Sequence, residues 1–156
     1  MNNDNRSVVV NDAVKEYRDL KTQYEGRRDS WDNWILVILL IVDLGTAIIA
    51  ALSGIINITG TSIVSQVLNG IVILIAGICV FLSRALQGST FLATREGIEK
   101  TAKVASEAFK ELEGFQMAAL KEDNTVDEKE FKKFIELKKK LDKDIEDAKK
   151  TIKVGN

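Results

Sequence analysis

Proline is absent from this 156-residue chain, and so is histidine. At ordinary usage of about 5% a chain of this length would carry roughly eight prolines. Proline kinks helices and punctuates loops, so its absence predicts a few long, unbroken helices. The lack of histidine removes the commonest general base and a frequent metal ligand. One cysteine, Cys79, sits in an apolar run. A lone thiol excludes a disulfide framework and reads as a small packing or lipid-facing residue. No glycine-rich phosphate loop, zinc-ligand cluster or nucleophile motif occurs. Carboxylates are plentiful, but they alternate with lysines on helical faces at a net charge of -1. Catalysis and nucleic-acid binding are therefore not expected, and no metal or cofactor is implied.

Charge is missing in a second, local sense. Between Asn33 and Ser83 the single charged residue is Asp43. Residues 34–58 and 63–82 each supply the roughly 20 mostly apolar residues that a bilayer crossing requires. A chain this small cannot cover two helices that are apolar all round, so two membrane spans are predicted. Charge-rich sequence precedes the block, which argues against a cleaved leader, and no lipidation motif is evident. The connector Asn57-Ile58-Thr59-Gly60-Thr61 is short and polar, so the spans should run antiparallel. Its Asn-Ile-Thr sequon lies against the membrane and reads as a chance match.

The connector holds no lysine or arginine, whereas Arg27 and Arg28 precede the first span and Arg84 and Arg95 follow the second. The positive-inside rule then places both termini in the cytoplasm. Trp31 and Trp34 at the start of the first span, and Arg84 at the end of the second, read as membrane-interface anchors.

The flanking segments carry seven-residue repeats. Val10, Tyr17, Tyr24 and Trp31 share one position, and Ala13, Leu20, Arg27 and Trp34 another. The same register continues through Ile38, Ile41, Gly45, Ile48, Leu52 and Ile55, which predicts one helix over 12–57 with Asn11 or Asp12 as its N-cap. After the second span, Phe91, Ile98, Ala105, Leu112 and Ala119 repeat by seven, widened by Ala102, Ala108, Phe109 and Phe115. This helix is expected to continue out of the second span. A break falls at 121–125, where Thr125 and Glu128 form an expected capping box. A last helix then places Phe131, Phe134, Ile135, Leu141, Ile145, Ala148 and Ile152 on one face, with Lys138, Lys139 and Lys140 in solvent. The predicted fold is all-α: a membrane-spanning antiparallel helical hairpin over 34–83, an amphipathic cytoplasmic helix over 1–33, and a cytoplasmic helical hairpin or coiled coil over 84–156 whose last helix folds back.

At 3.6 residues per turn, Asp43, Thr46, Ala50, Ser53, Gly54 and Asn57 share one face of the first span with Ala47. Thr46, Ala50 and Gly54 form a doubled small-xxx-small motif, which permits close helix approach. The second span carries Ser65, Gln66, Asn69 and Gly70 toward the connector, with Ala76 and Gly77 deeper. Counting equally from the connector sets Asp43 opposite Ala76 and Gly77. Arg84 lies about 10 Å further along by helical rise, so no direct ion pair with Asp43 is expected. A charge near a helix centre costs about 2.5–3.5 kcal/mol on insertion scales. Three roles are open to Asp43: a protonated hydrogen-bonding group between helices, a residue lining a polar pore in an oligomer, or a site that binds or relays an ion or proton. The last two require assembly, because two spans from one chain build no pathway.

The layout of cytoplasmic helix, two spans and cytoplasmic helix is shared with the mitochondrial calcium uniporter, but the connector lacks that family's acidic motif. Magnesium-channel and potassium-filter signatures are missing as well. With Tyr17 and Tyr24 on its N-terminal helix, the tight 34–82 hairpin and the long helix from Phe91, the chain resembles the SLATT group of two-span effector domains. These occur in prokaryotic nucleotide-linked conflict systems and in related solitary proteins. The resemblance implies a homo-oligomer in a prokaryotic plasma membrane that permeabilises the bilayer when a cytoplasmic sensor or regulatory protein is triggered. The function expected is therefore an oligomeric membrane pore. The stripe aromatics read as core, and the alternative function is a non-conducting membrane scaffold whose cytoplasmic helices recruit a partner, which loss of a captured partner on altering Phe131 and Phe134 would support.

Overall fold

The computed structural model describes residues 3–59, 63–120 and 125–152. Among these residues every regular element is helical: α1 (Asn3–Thr59), α2 (Ile63–Gln87), α3 (Ser89–Ala119) and α4 (Glu128–Lys149). The centre of the expected connector, including Gly60 and Thr61, and most of the expected break at 121–125 lie outside the described residues.

The absence of proline has its expected consequence in α1, which runs 57 residues without a break. The helix starts nine residues earlier than the repeat suggested, so neither Asn11 nor Asp12 caps it. The reason is tertiary. Ser7 and Val10 are buried, and Arg6 lies 3.9 Å from Glu128 and 6.0 Å over the Phe131 ring, so the first turns have partners. The expected continuity between the second span and the following helix is interrupted at one residue, Gly88. Its N–H donates to the Ala85 carbonyl at 3.2 Å, three residues back, and its own carbonyl accepts from Leu92 N–H at 3.1 Å.

The chain divides into two compact units, residues 1–29 with 93–156, and residues 30–92. The first unit is a three-helix bundle. Asn11 accepts a 2.7 Å hydrogen bond from Gln116, and Tyr24 packs on Ala102 and Ala105, so α1 and α3 run antiparallel here. Glu111 pairs with Lys140 at 3.7 Å and Phe115 faces Phe134 at 5.9 Å, which sets α4 antiparallel to α3 and parallel to α1.

The core holds Val10, Val14, Tyr17, Leu112, Phe134 and Leu141. Of the two predicted stripes on α1, the Val10–Tyr17–Tyr24 series is buried throughout, whereas Ala13 is buried, Leu20 partly buried and Arg27 exposed. On α4 the seam steps through 131, 134, 138, 141, 145 and 148. Ile135 lies off it and is 47% exposed, while Lys138, expected in solvent, is half-buried. The α4 cap also falls two residues later than expected. Asp127, not Thr125, is the N-cap: its Oδ1 accepts from Glu130 N–H at 2.6 Å, and Glu130 Oε2 accepts from Asp127 N–H at 3.4 Å. Val126 before the cap is fully buried and Phe131 packs on the same core, the positions of a hydrophobic staple. A cap at Thr125 would draw Val126 into the helix and out of that place.

In the second unit, Cys79 Sγ lies 3.9 Å from the Val42 carbonyl and Trp31 packs on Phe91 at 4.8 Å. Residue 42 thus lies against 79 and the earlier residue 31 against 91, just past the end of α2, so α1 and α2 run antiparallel.

Candidate functional site: the polar side of the apolar helix pair

Within residues 30–92 less exposed positions of α1 recur at 31, 35, 38, 42, 45, 49, 52 and 56, and of α2 at 65, 68, 72, 75, 79, 82 and 86, with Asp32, Ser53, Ala76 and Ser83 half-buried at their border. Alternating steps of three and four make a coiled-coil seam. Its closest approach is at Gly45, which is buried. A Cβ there would collide with Cys79 Sγ and touch Ile75 Cγ2 at 3.4 Å. The seam therefore takes Ile38, Gly45 and Leu52 from the predicted repeat but leaves Ile41, Ile48 and Ile55 exposed. Cys79 packs as a small apolar residue, 7% exposed.

This seam determines what remains outside. Asp43, Thr46, Ala50, Gly54 and Asn57 are all exposed, and Ser53 is half-buried at the seam's edge. The α1 face expected to oppose Ala76 and Gly77 does not face α2. Gly77 is exposed, with nothing within 4 Å of where its Cβ would lie, and Ala76 is half-buried beside the seam. The count from the connector was nearly right in depth and wrong in direction, because Gly45 and Cys79 claim the shared face. Among the described residues the small-xxx-small motif likewise meets no neighbouring helix at Gly54, where nothing lies within 4 Å of a Cβ. The Thr46 hydroxyl donates within its own helix, to the Val42 and Asp43 carbonyls at 3.0 and 2.8 Å.

Helical period adds a further regularity. Asp43, Ala50 and Asn57 are spaced by seven and so share a heptad position, as do Thr46 and Ser53. Both positions lie on one flank of the seam. On α2, the exposed Gln66, Asn69, Gly70 and Gly77 fall on the flank that antiparallel packing turns to the same side, together with Ile73 and Val80. The opposite side presents Ile41, Leu44, Ile48 and Ile55 from α1 and Val64, Ile71 and Ile78 from α2, all exposed. The pair thus has one bulky apolar side and one side where its polar and small residues gather.

At the ends of the pair, Trp31 is half-buried against Phe91, Trp34 is 64% exposed and Arg84 is exposed. The indole at 34 and the guanidinium at 84 are free to meet an interface, whereas Trp31 is partly a packing residue.

The bundle supplies further contacts that sequence periodicity did not signal. The Tyr17 hydroxyl donates to Asp142 Oδ1 at 2.5 Å, and Lys138 Nζ lies 5.6 Å from the Tyr17 ring centroid and 3.0 Å from Asp142 Oδ2. Burial first, then the hydrogen bond to Asp142, pushes the phenol well above its ordinary value. Gly97 is buried, and a Cβ there would sit 2.7 Å from the Thr151 carbonyl and 2.8 Å from Ile152 Cα. A cleft of about 290 Å³ between α3 and α4 is lined by Lys100, Glu107, Glu111, Asp144 and Asp147 among others. Among the described residues no three His, Cys, Asp or Glu side chains are grouped to hold a metal ion. No family model, curated protein or solved structure matches this chain.

Proposed function

We propose that the chain is an integral membrane protein whose 34–83 segment crosses the bilayer as a hairpin, and that its copies assemble into a cation-conducting pore with the polar side of that hairpin inward. The observation that carries this reading is the exposure of Asp43 in the most apolar part of the chain, after its own helix pair has filled its seam with other residues. A carboxylate facing lipid near a helix centre costs about 2.5–3.5 kcal/mol on insertion scales. Neighbouring copies or a water-filled path relieve that cost, and the bulky opposite side suits lipid tails.

Membrane insertion is supported by the exposure of the apolar stretches themselves. Of the most apolar eighteen-residue window in α1 and in α2, only 6% and 11% are buried within the chain. A core helix of a water-soluble domain would be mostly covered. Arg27, Arg28, Arg84 and Arg95, with no Lys or Arg between 28 and 84, favour cytoplasmic termini. The resemblance to SLATT-type effectors is one of layout; permeabilisation and a cytoplasmic trigger received by the bundle belong to this proposal. For the scaffold alternative, Phe134 is fully buried and the half-buried Phe131 packs 5.8 Å from it, so altering either perturbs the bundle core as well as any partner contact.

The test is ion flux. Purified protein in liposomes is expected to pass monovalent cations over anions at a low unstimulated rate that opening the conduit raises, and Asp43→Asn to lose most of that preference while remaining inserted. Sealed liposomes containing inserted, oligomeric protein would contradict the reading.

A further inference from the structure

The polar flank of α1 is not polar along its whole length. Leu36 precedes Asp43 by seven residues, and Leu39 precedes Thr46 by seven, so each leucine occupies the heptad position of the polar residue that follows it. Leu36 is 63% exposed and Leu39 45%, so neither is consumed by the seam with α2. Along this flank the order is Leu36, Asp43, Ala50, Asn57, each step about 10 Å by helical rise. The bulky members lie on the Trp31 side of Asp43, and the small and polar ones on the other.

We infer that Leu36, with Leu39 beside it, is the hydrophobic gate of the conduit. The inference rests on the proposed assembly of copies with this flank inward. Copies that share one membrane topology and a closed symmetry set identical residues at one depth. A ring of Leu36 side chains then lies about 10 Å from a ring of Asp43 carboxylates. An apolar constriction of that kind closes by dewetting, without any plug. Asp43 attracts cations to the wide segment, where Ala50 leaves room, and Leu36 withholds passage at its end. The same geometry leaves Ile48, on the bulky side, without a part in gating.

The experiment is unstimulated potassium flux from liposomes carrying the full chain, as wild type, Leu36→Ser, Leu36→Ala and Ile48→Ser, each checked for insertion and for the wild-type oligomer size. Both Leu36 variants are expected to raise resting flux by roughly tenfold or more as the constriction rehydrates, with Ile48→Ser close to wild type. Leu36→Ala guards against a misfolded serine variant, since it keeps helix propensity and apolar character. Leu36 variants that conduct like wild type, while Asp43→Asn still changes selectivity, would overturn the gate and leave the pore standing. Equal leak from Ile48→Ser would also overturn it, as general loosening. Liposomes that stay sealed with every variant would sink gate and pore together.

Discussion

Tyr17 joins the buried core to the polar surface of the bundle. Its ring is fully buried, its hydroxyl bonds Asp142, and Lys138 covers its face. The raised phenol means that the fold prefers the neutral form. That contribution is complete below the ordinary value of 10.0 and declines as pH climbs above it. Melting of the detergent-solubilised chain between pH 8 and 11 is therefore expected to show stability falling above about pH 10, where an unfolded tyrosine ionises. Tyr17→Phe should cost roughly 1 kcal/mol at neutral pH, the net worth of the lost hydrogen bond, and should flatten the alkaline decline. Parallel decline of the two proteins would place the alkaline sensitivity elsewhere. The ring's place in the core was legible from the spacing of Val10, Tyr17 and Tyr24. Its hydrogen bond was not, because it joins residues 125 apart in sequence, and periodicity carries no information about which carboxylate on another helix lies within reach.

Elements meet at two glycines, and each shows what a hydrophobic pattern omits. Gly45 lay in the predicted repeat, yet the repeat does not say that this position is the point of closest approach; Cys79 Sγ opposite it does. Gly97 was not signalled at all, because a glycine on an amphipathic helix looks like a weak helix former until a backbone is found against it. Since the Thr151 carbonyl and Ile152 backbone occupy the space of its Cβ, Gly97→Ala must push the turn that follows α4 away from α3. A loss of about 1–3 kcal/mol is expected, the usual cost of overpacking, read as a lower melting temperature of the helical signal. An unchanged melting temperature would mean that the turn after α4 shifts freely. Helix existence and type were legible across the chain, from the missing prolines and the seven-residue spacings. Boundaries were less so. The start of α1 and the cap of α4 were set by tertiary partners, Arg6 with Glu128 and Val126 in the core, which no local signal records.

For the whole molecule the central question is what covers the polar side of the apolar pair. Its residues could be named from the sequence: Asp43, Thr46, Ala50, Gly54 and Asn57 on one helix, Gln66, Asn69, Gly70 and Gly77 on the other. Their direction could not, because a 3.6-residue period shows which residues share a face and not which face the neighbouring helix takes. The structure gives the shared face to Gly45 and Cys79 and leaves Asp43 outside. Self-association is the proposed answer, and copies with a common topology would carry residue 43 at a common depth.

The most direct test of that answer is oxidative cross-linking in bilayers, in a Cys79→Ala background, of chains carrying Asp43→Cys or, as the control on the bulky side, Ile48→Cys. The proposal predicts rapid disulfide-linked dimers for position 43 and little for position 48. Cross-linking at 48 with none at 43, or monomers at both, would contradict it.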